Sequence, residues 1–338
     1  MGGGVLQAYE SGRRYEALDG LRGVAAVGVM LYHIGGWTGR PWLVGHGYLA
    51  VDFFFCLSGF VLAHAYGRRQ IGWWGFLRQR LTRLWPLIAL TMLAGATVII
   101  QHRERVPEWL ILGLLMVPRL WAEEPGFAPI FPLNPPAWSL FFELAVGALW
   151  FPIRRLGVLG HVAMIVLLIP VMAYIAQGMG GVLTGWDRAT FFISFLRTVF
   201  SFLLGWGCYR IQPFTGFRAP AWLLALILAA ILCFPWTPLN WVYDYVCMSL
   251  VFPLIVLAGR RDPGGFQGKL ARVSGAISYP LYALHWLGWE LMLRLFRALG
   301  GHGYPLAFAA VAIPVILAFA WAVLKLYDEP VRRRLRRL

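Results

Sequence analysis

Apolar runs of about twenty residues, separated by short polar gaps, recur along the whole chain, and a helix of that length crosses the hydrocarbon core of a bilayer. The pattern predicts helices near residues 17–36, 47–66, 84–102, 138–153, 157–176, 190–209, 220–236, 240–258, 276–298 and 304–326. One more apolar stretch, Trp109–Trp121, is too short to span and carries Pro118 and Arg119. Its length favours an interfacial or re-entrant piece.

Composition closes off the soluble alternatives. Hydrophobic residues make up 59% of the chain and charged residues 13%, with a mean hydropathy of +0.66. Soluble domains hold about 45–50% and about 25%, and a water-soluble fold has nowhere to hide so much apolar surface. The expected fold class is all-α: a polytopic membrane helix bundle of about ten transmembrane helices, forming a single membrane-embedded domain over 1–338. Its helices run from about 17 to 326, and a basic tail covers 328–338. No internal repeat or soluble appendage is visible, no signal-peptide core precedes the first long helix, and that helix lacks a small-residue cleavage pattern, so it should remain as an anchor.

The net charge of +15, from 30 Lys+Arg against 15 Asp+Glu, changes the picture only by its placement. A nucleic-acid binder would show a basic face on a soluble domain. Here the arginines cluster in the gaps between apolar runs, the bias that orients membrane helices. Starting with Arg13 and Arg14 in the cytosol, ten crossings keep five clusters inside: Arg68–Arg83, Arg154–Arg155, Arg210–Arg218, Arg260–Arg272 and Arg332–Arg337. Arg40, Arg103, Arg105, Arg119 and Arg188 remain outside, together with the loops Pro125–Pro136 and Gln177–Thr190. Counting Trp109–Trp121 as a crossing would invert every later cluster. Both termini are expected in the cytosol, and the tail reads as an anchor drawn to anionic lipid. The cysteines, Cys56, Cys208, Cys233 and Cys247, lie in apolar runs without metal-ligand spacing and read as small buried hydrophobes; no metal is expected.

Ionisable groups inside spans are costly and so are functional candidates. Arg22 and His33 are eleven residues apart, almost three turns, so they share a helix face about 16 Å apart. Asp52, His33 and Glu143 fall at similar depths near the outer ends of three helices, an arrangement in which a carboxylate could orient an imidazole general base. They could equally satisfy neighbouring helices. Arg80 and Arg83, i and i+3 at the start of the third span, suit phosphate recognition, although positive-inside anchoring explains them as well. Glu290 and Arg294, i and i+4, should pair, and His285 lies mid-span, where a helix–helix hydrogen bond is the simpler role. Ser58 lacks a nucleophile elbow, so Ser58-Gly59 reads as a close-packing site.

These residues resemble the acyltransferase-3 family of integral membrane O-acyltransferases. Leu18-Asp19-Gly20-Leu21-Arg22 with His33 resembles its Arg, ten residues, His signature, and Phe53–Phe60 its second-helix motif. Arg80-Leu-Thr-Arg83 resembles its Arg-x-x-Arg motif and Trp138-Ser139-Leu-Phe-Phe-Glu143 its Trp-Ser-Leu-x-x-Glu block. Ser278-Tyr279-Pro-Leu-Tyr282 with His285-Trp286, and Glu329-Pro330 before Arg332, resemble its last two helices. The likeness implies a ten-helix, stand-alone enzyme of a bacterial inner membrane. It would move an acyl group, usually acetyl, from cytosolic acyl-CoA to a hydroxyl of a cell-surface polysaccharide, a lipid-linked sugar or a small molecule. On that reading His33 is catalytic with Asp52 and Glu143; Arg22, Arg80 and Arg83 hold the donor; and Trp138, Ser139 and His285 contact substrate. The alternative is a transporter or flippase using the same His, Asp and Glu as a proton relay. The lack of a visible repeat favours the enzyme.

Overall fold

In hydrocarbon there is no water to bond backbone amides, so apolar runs close their hydrogen bonds internally as helices. The computed structural model describes residues 15–37, 44–99, 103–121, 129–300 and 305–337, and contains no strand among them. The helices are α1 (Glu16–Trp37), α2 (Ala50–Tyr66), α3 (Trp73–Val98), α4 (Val106–Leu114), α5 (Ala137–Ile153), α6 (Val158–Met179) and α7 (Phe191–Ile211). They continue with α8 (Ala221–Leu232), α9 (Asn240–Ala258), α10 (Gly265–Ala298) and α11, which starts at Pro305 and continues to Leu335. Two π-helical turns, Cys247–Val251 and Leu324–Asp328, interrupt α9 and α11 without ending them. Arg13, Arg14, Arg40, the start of the Pro125–Pro136 loop and the side chain of Arg103 lie outside the described residues.

Seven of these helices are long and apolar enough to cross a membrane. The chain is an integral membrane protein. Two further apolar helices, α5 and α8, have 17 and 12 residues, and α10 is long, at 34 residues, but basic at its start. Both α3 and α10 begin well before the expected positions 84 and 276. Arg78, Arg80, Lys269 and Arg272 depress hydropathy there, but arginine and lysine are good helix formers. Conversely, α8 stops short of the expected 236 because Pro235 and Pro238 disfavour helix in the residues before them.

Contacts between the connecting segments sort the helix ends. Arg272 pairs with Glu16 at 2.6 Å, Arg155 donates to Gln70 at 3.2 Å, Arg210 donates to the Leu156 carbonyl, and Arg260 donates to the Gln212 carbonyl at 2.8 Å. The clusters expected on one side thus meet at one end of the bundle, the basic end. At the opposite end the His46 amide bonds the Leu232 carbonyl and Trp236 bonds the Gly45 carbonyl. Gly95 of α3 packs on Leu133, just before α5. The chain between α3 and α5 therefore leaves and returns at that same end. Within it, α4 packs along α3, with Trp85 donating to the Leu114 carbonyl, and turns back at Met116, φ 54°. Trp109–Trp121 thus folds back along α3, and the Arg119 amide bonds the Ile130 carbonyl.

Two parallel helix pairs form the centre. In α1 and α10, a Cβ on Gly23 would sit 2.7 Å from the Ser274 carbonyl oxygen and one on Gly275 2.9 Å from that of Asp19. Only glycine permits that approach, the usual means of close helix packing in membranes. In α2 and α7, Gly59 and Gly205 play the same part against Phe202 and Cys56. A buried ion pair lies beside that second contact: the Arg197 Nε donates to the Asp52 carboxylate at 2.7 Å and Nη2 reaches its other oxygen. Arg197 also donates to the Thr184 carbonyl at 2.9 Å, and the two side chains are 1% and 0% exposed.

Removing one partner of such a pair leaves a buried charge unanswered, at a cost of about 3–5 kcal/mol, whereas replacing both with apolar groups is often neutral. Asp52→Asn should therefore lower the melting temperature of the purified protein sharply. Asp52→Leu with Arg197→Met should recover most of the loss; a double variant as unstable as the single would show that the pair is not the reason. For topology, a Cys233→Ser background carrying a cysteine at Leu239 should react with an impermeant thiol reagent on intact cells. One at Gly264 should react only after permeabilisation, and the reverse pattern would invert the bundle.

Candidate active site

Enclosed by α1, α2, α3, α5 and α10 is a cavity of about 710 Å³, its open mouth included. Arg22, Arg80 and Arg83 line it towards the basic end, and Ser139, Phe54 and Tyr282 line it towards the opposite end. The three arginines are assembled from two helices. Arg22 is aimed by α10: its Nε donates to Ser278 Oγ at 3.0 Å and its Nη2 to the Gly275 carbonyl at 2.8 Å, while Asp19 lies 3.6 Å away. Arg80 and Arg83 reach in from α3, where the i, i+3 spacing puts both on one face. The expected cofactor-binding trio shares one chamber.

Glu143 is in the same chamber and not beside His33. Its carboxylate pairs with Arg80 and accepts from Ser58 Oγ at 3.1 Å. Arg80 is 3% exposed, and its Nε faces the interior without a hydrogen-bond partner. Three guanidiniums line the chamber together with the Glu143 carboxylate, and Asp19 stands beside Arg22, in a setting where charge is weakly screened. An anion of several charges fits that chemistry.

His33 lies farther along α1. Its Nδ1 donates to the Val29 carbonyl at 2.8 Å, so in the neutral ring Nε2 carries the lone pair. The ring packs edge-on against Tyr32 at 5.4 Å and against His285 at 4.9 Å. His285 repeats the arrangement, with Nδ1 donating to its own Tyr282 carbonyl at 2.7 Å and a buried Nε2 without a partner. The expected interhelical hydrogen bond of His285 is replaced by ring packing on His33. Two imidazoles, both tautomerically fixed by backbone carbonyls, are therefore in ring contact.

The expected outer layer of His33, Asp52 and Glu143 does not form. Similar depth in three helices says nothing about which way each faces, and here Asp52 turns to Arg197 and Glu143 to Arg80. Trp138 is buried beneath Arg197, 5.9 Å from its guanidinium, while its neighbour Ser139 lines the cavity. Glu290 and Arg294 pair at 2.9 Å, as their spacing predicts. Cys56, Cys208 and Cys247 are buried, but Cys233 is exposed.

A second buried polar network escaped the sequence reading. Tyr48 donates to Asp244 at 2.9 Å and accepts from Asn240 at 3.0 Å, and the Val182 amide donates to Asp244 at 2.9 Å. His46 bonds Asn240 and the Phe234 carbonyl, each at 2.6 Å. The signal for Arg197 and Asp244 was present, since both are charged residues inside predicted spans. Among the described residues no group of His, Cys, Asp or Glu is gathered as a metal would require.

Residues 15–325 match the family described as an acyltransferase domain. A Rhizobium radiobacter protein named for its place as protein 2 in the picA locus is 39% identical over 40% of this chain and 81% of its own length. A Staphylococcus aureus protein with a provisional O-acetyltransferase name is 30% identical over 40% of this chain and 24% of its own. Acyltransferase MdmB of Streptomyces mycarofaciens is 33% identical over 42% of each chain. No solved structure matches. With a family match over nearly its whole length, the chain belongs to the acyltransferase-3 family of membrane proteins.

Proposed function

We propose that this protein is a membrane O-acyltransferase that takes an acyl group, typically acetyl, from cytosolic acyl-CoA. The acceptor is a hydroxyl of a cell-surface glycan, a lipid-linked sugar or a small molecule. The observation that carries this reading is the convergence of Arg22, Arg80 and Arg83 on one cavity whose far wall adjoins the His33–His285 pair. The acyltransferase and O-acetyltransferase names of the relatives support it. The setting is a bacterial cytoplasmic membrane, with both termini and the basic end in the cytosol, where CoA is found.

On this reading the guanidiniums bind the phosphates of CoA through charge-assisted hydrogen bonds. Glu143 is a positioning residue: its ion pair fixes the Arg80 fork and Ser58 holds the carboxylate in turn. His33 is the general base. The hydroxyl proton of the acceptor passes to its Nε2 as the oxygen attacks the thioester carbonyl carbon. The C–S bond then breaks, and the departing thiolate takes the proton back, giving ester and free CoA. The backbone bond at Nδ1 steadies the ring and the imidazolium formed in passing. Asp52 has no part in these steps, since its carboxylate is committed to Arg197.

His33→Ala should abolish acyl transfer while leaving membrane insertion and CoA binding unchanged; transfer at the wild-type rate by the purified variant would remove His33 from the chemistry. The Arg80→Gln/Arg83→Gln double variant should weaken CoA binding by about a hundredfold or more, since each charge-assisted contact contributes about 1.5–3 kcal/mol. Lysine at both positions keeps the charge but loses the planar fork, so its affinity should fall between the two. Unchanged affinity in the glutamine variant, measured by calorimetry on correctly inserted protein, would move the phosphate site elsewhere.

A further inference from the structure

The cavity stops one helical turn short of the histidines. Along α10 its wall is made by Ser278, Tyr279 and Tyr282, and His285, the next residue on that face, is not part of it. Three residues of helix rise only about 4.5 Å. The Tyr282 ring stands in that gap. One side closes the chamber beside Phe54, with the rings edge-on at 5.5 Å. The other side faces His285, with ring centres 5.7 Å apart, and His285 in turn packs on His33 at 4.9 Å.

The ring is held from both ends. The Ser139 and Tyr282 hydroxyls share a hydrogen bond at 2.5 Å, and both reach the Pro136 carbonyl, at 3.1 and 3.5 Å. The carbonyl of Tyr282 accepts from His285 Nδ1. Tyr282 is 5% exposed, Ser139 3% and His285 1%, so all three are buried. A close-packed wall of this kind resists added methylenes, and displacing the ring would strand two buried hydroxyls.

We propose that Tyr282, latched to Ser139, is the residue that selects the length of the acyl group. This rests on the reading of the arginine-lined cavity as the donor site. The thioester carbon must pass the ring to reach a hydroxyl held by His33. A two-carbon acyl group passes beside it. Each further methylene has to occupy space that the ring fills, and has to do so against the polar Ser139–Tyr282 bond. Tyr282 thereby separates the phosphate-binding chamber from the transfer centre and sets what crosses between them.

The test uses the full-length protein purified in detergent, with CoA, acetyl-CoA, butyryl-CoA and hexanoyl-CoA competing for the same site. The wild type should bind acetyl-CoA at least as tightly as CoA, and hexanoyl-CoA about tenfold or more less tightly. Tyr282→Ala should improve butyryl-CoA by about tenfold relative to acetyl-CoA, the scale of two buried methylenes, and hexanoyl-CoA by at least as much. Tyr282→Leu, which keeps an apolar side chain in the wall, should shift the ranking in the same direction and serves if the alanine variant does not fold. Ser139→Ala, which removes the latch alone, should relax the ranking part of the way. An identical chain-length ranking in the wild type and a folded Tyr282 variant, with CoA affinity intact, would overturn the proposal. Failure of the wild type to bind CoA at all would instead overturn the donor site, and this selector with it.

Discussion

The contact between α1 and α10 is the one on which the rest of the site depends. Glycines at positions 20, 23 and 275 bring the two backbones close enough for Arg22 to bond the Gly275 carbonyl and for His33 to pack on His285. Because the helices run parallel, a register set at the basic end persists to the far end. The same contact therefore aims a guanidinium into the cavity and stations an imidazole about three turns away. A bulky residue at Gly23 would push on backbone, and both ends of the site would move together.

Around that axis the arrangement of charge follows from the medium. A charge in hydrocarbon has to be answered nearby. Asp52 and Arg197 answer each other and tie α2 to α7. Glu143 answers Arg80 and ties α5 to α3. The chamber gathers three arginines, with Glu143 in the same lining and Asp19 beside Arg22. The histidines need no such partner, since each donates to a backbone carbonyl of its own helix. Neutral bases that keep a free lone pair can wait in an apolar setting where a carboxylate could not.

Much of this was legible in the chain. Period, length and the arginine-rich gaps located the helices and grouped their ends, and those gaps do meet at one end of the bundle. The spacing of Arg22 and His33 placed both on one face, and both meet α10. Helix starts were misplaced at α3 and α10 because a hydropathy window penalises arginine while the helix tolerates it. Arg197 and Asp244 were overlooked, though a charge within a span was the signal that drew attention to Asp52.

By itself the sequence determined that the chain is a membrane helix bundle, where its helices lie, and which charged side chains the bilayer would force into pairs. Those are consequences of local composition and of the cost of polar groups in hydrocarbon. It did not determine the pairing. Depth along a helix is a one-dimensional quantity that can be counted from the sequence, whereas facing is an angle fixed by the neighbour. His33, Asp52 and Glu143 share a depth on paper, yet each turns to a different helix. Which carboxylate meets which arginine, and that Tyr282 stands between the cavity and the histidines, was decided only when glycine contacts set how each helix is rotated against the next.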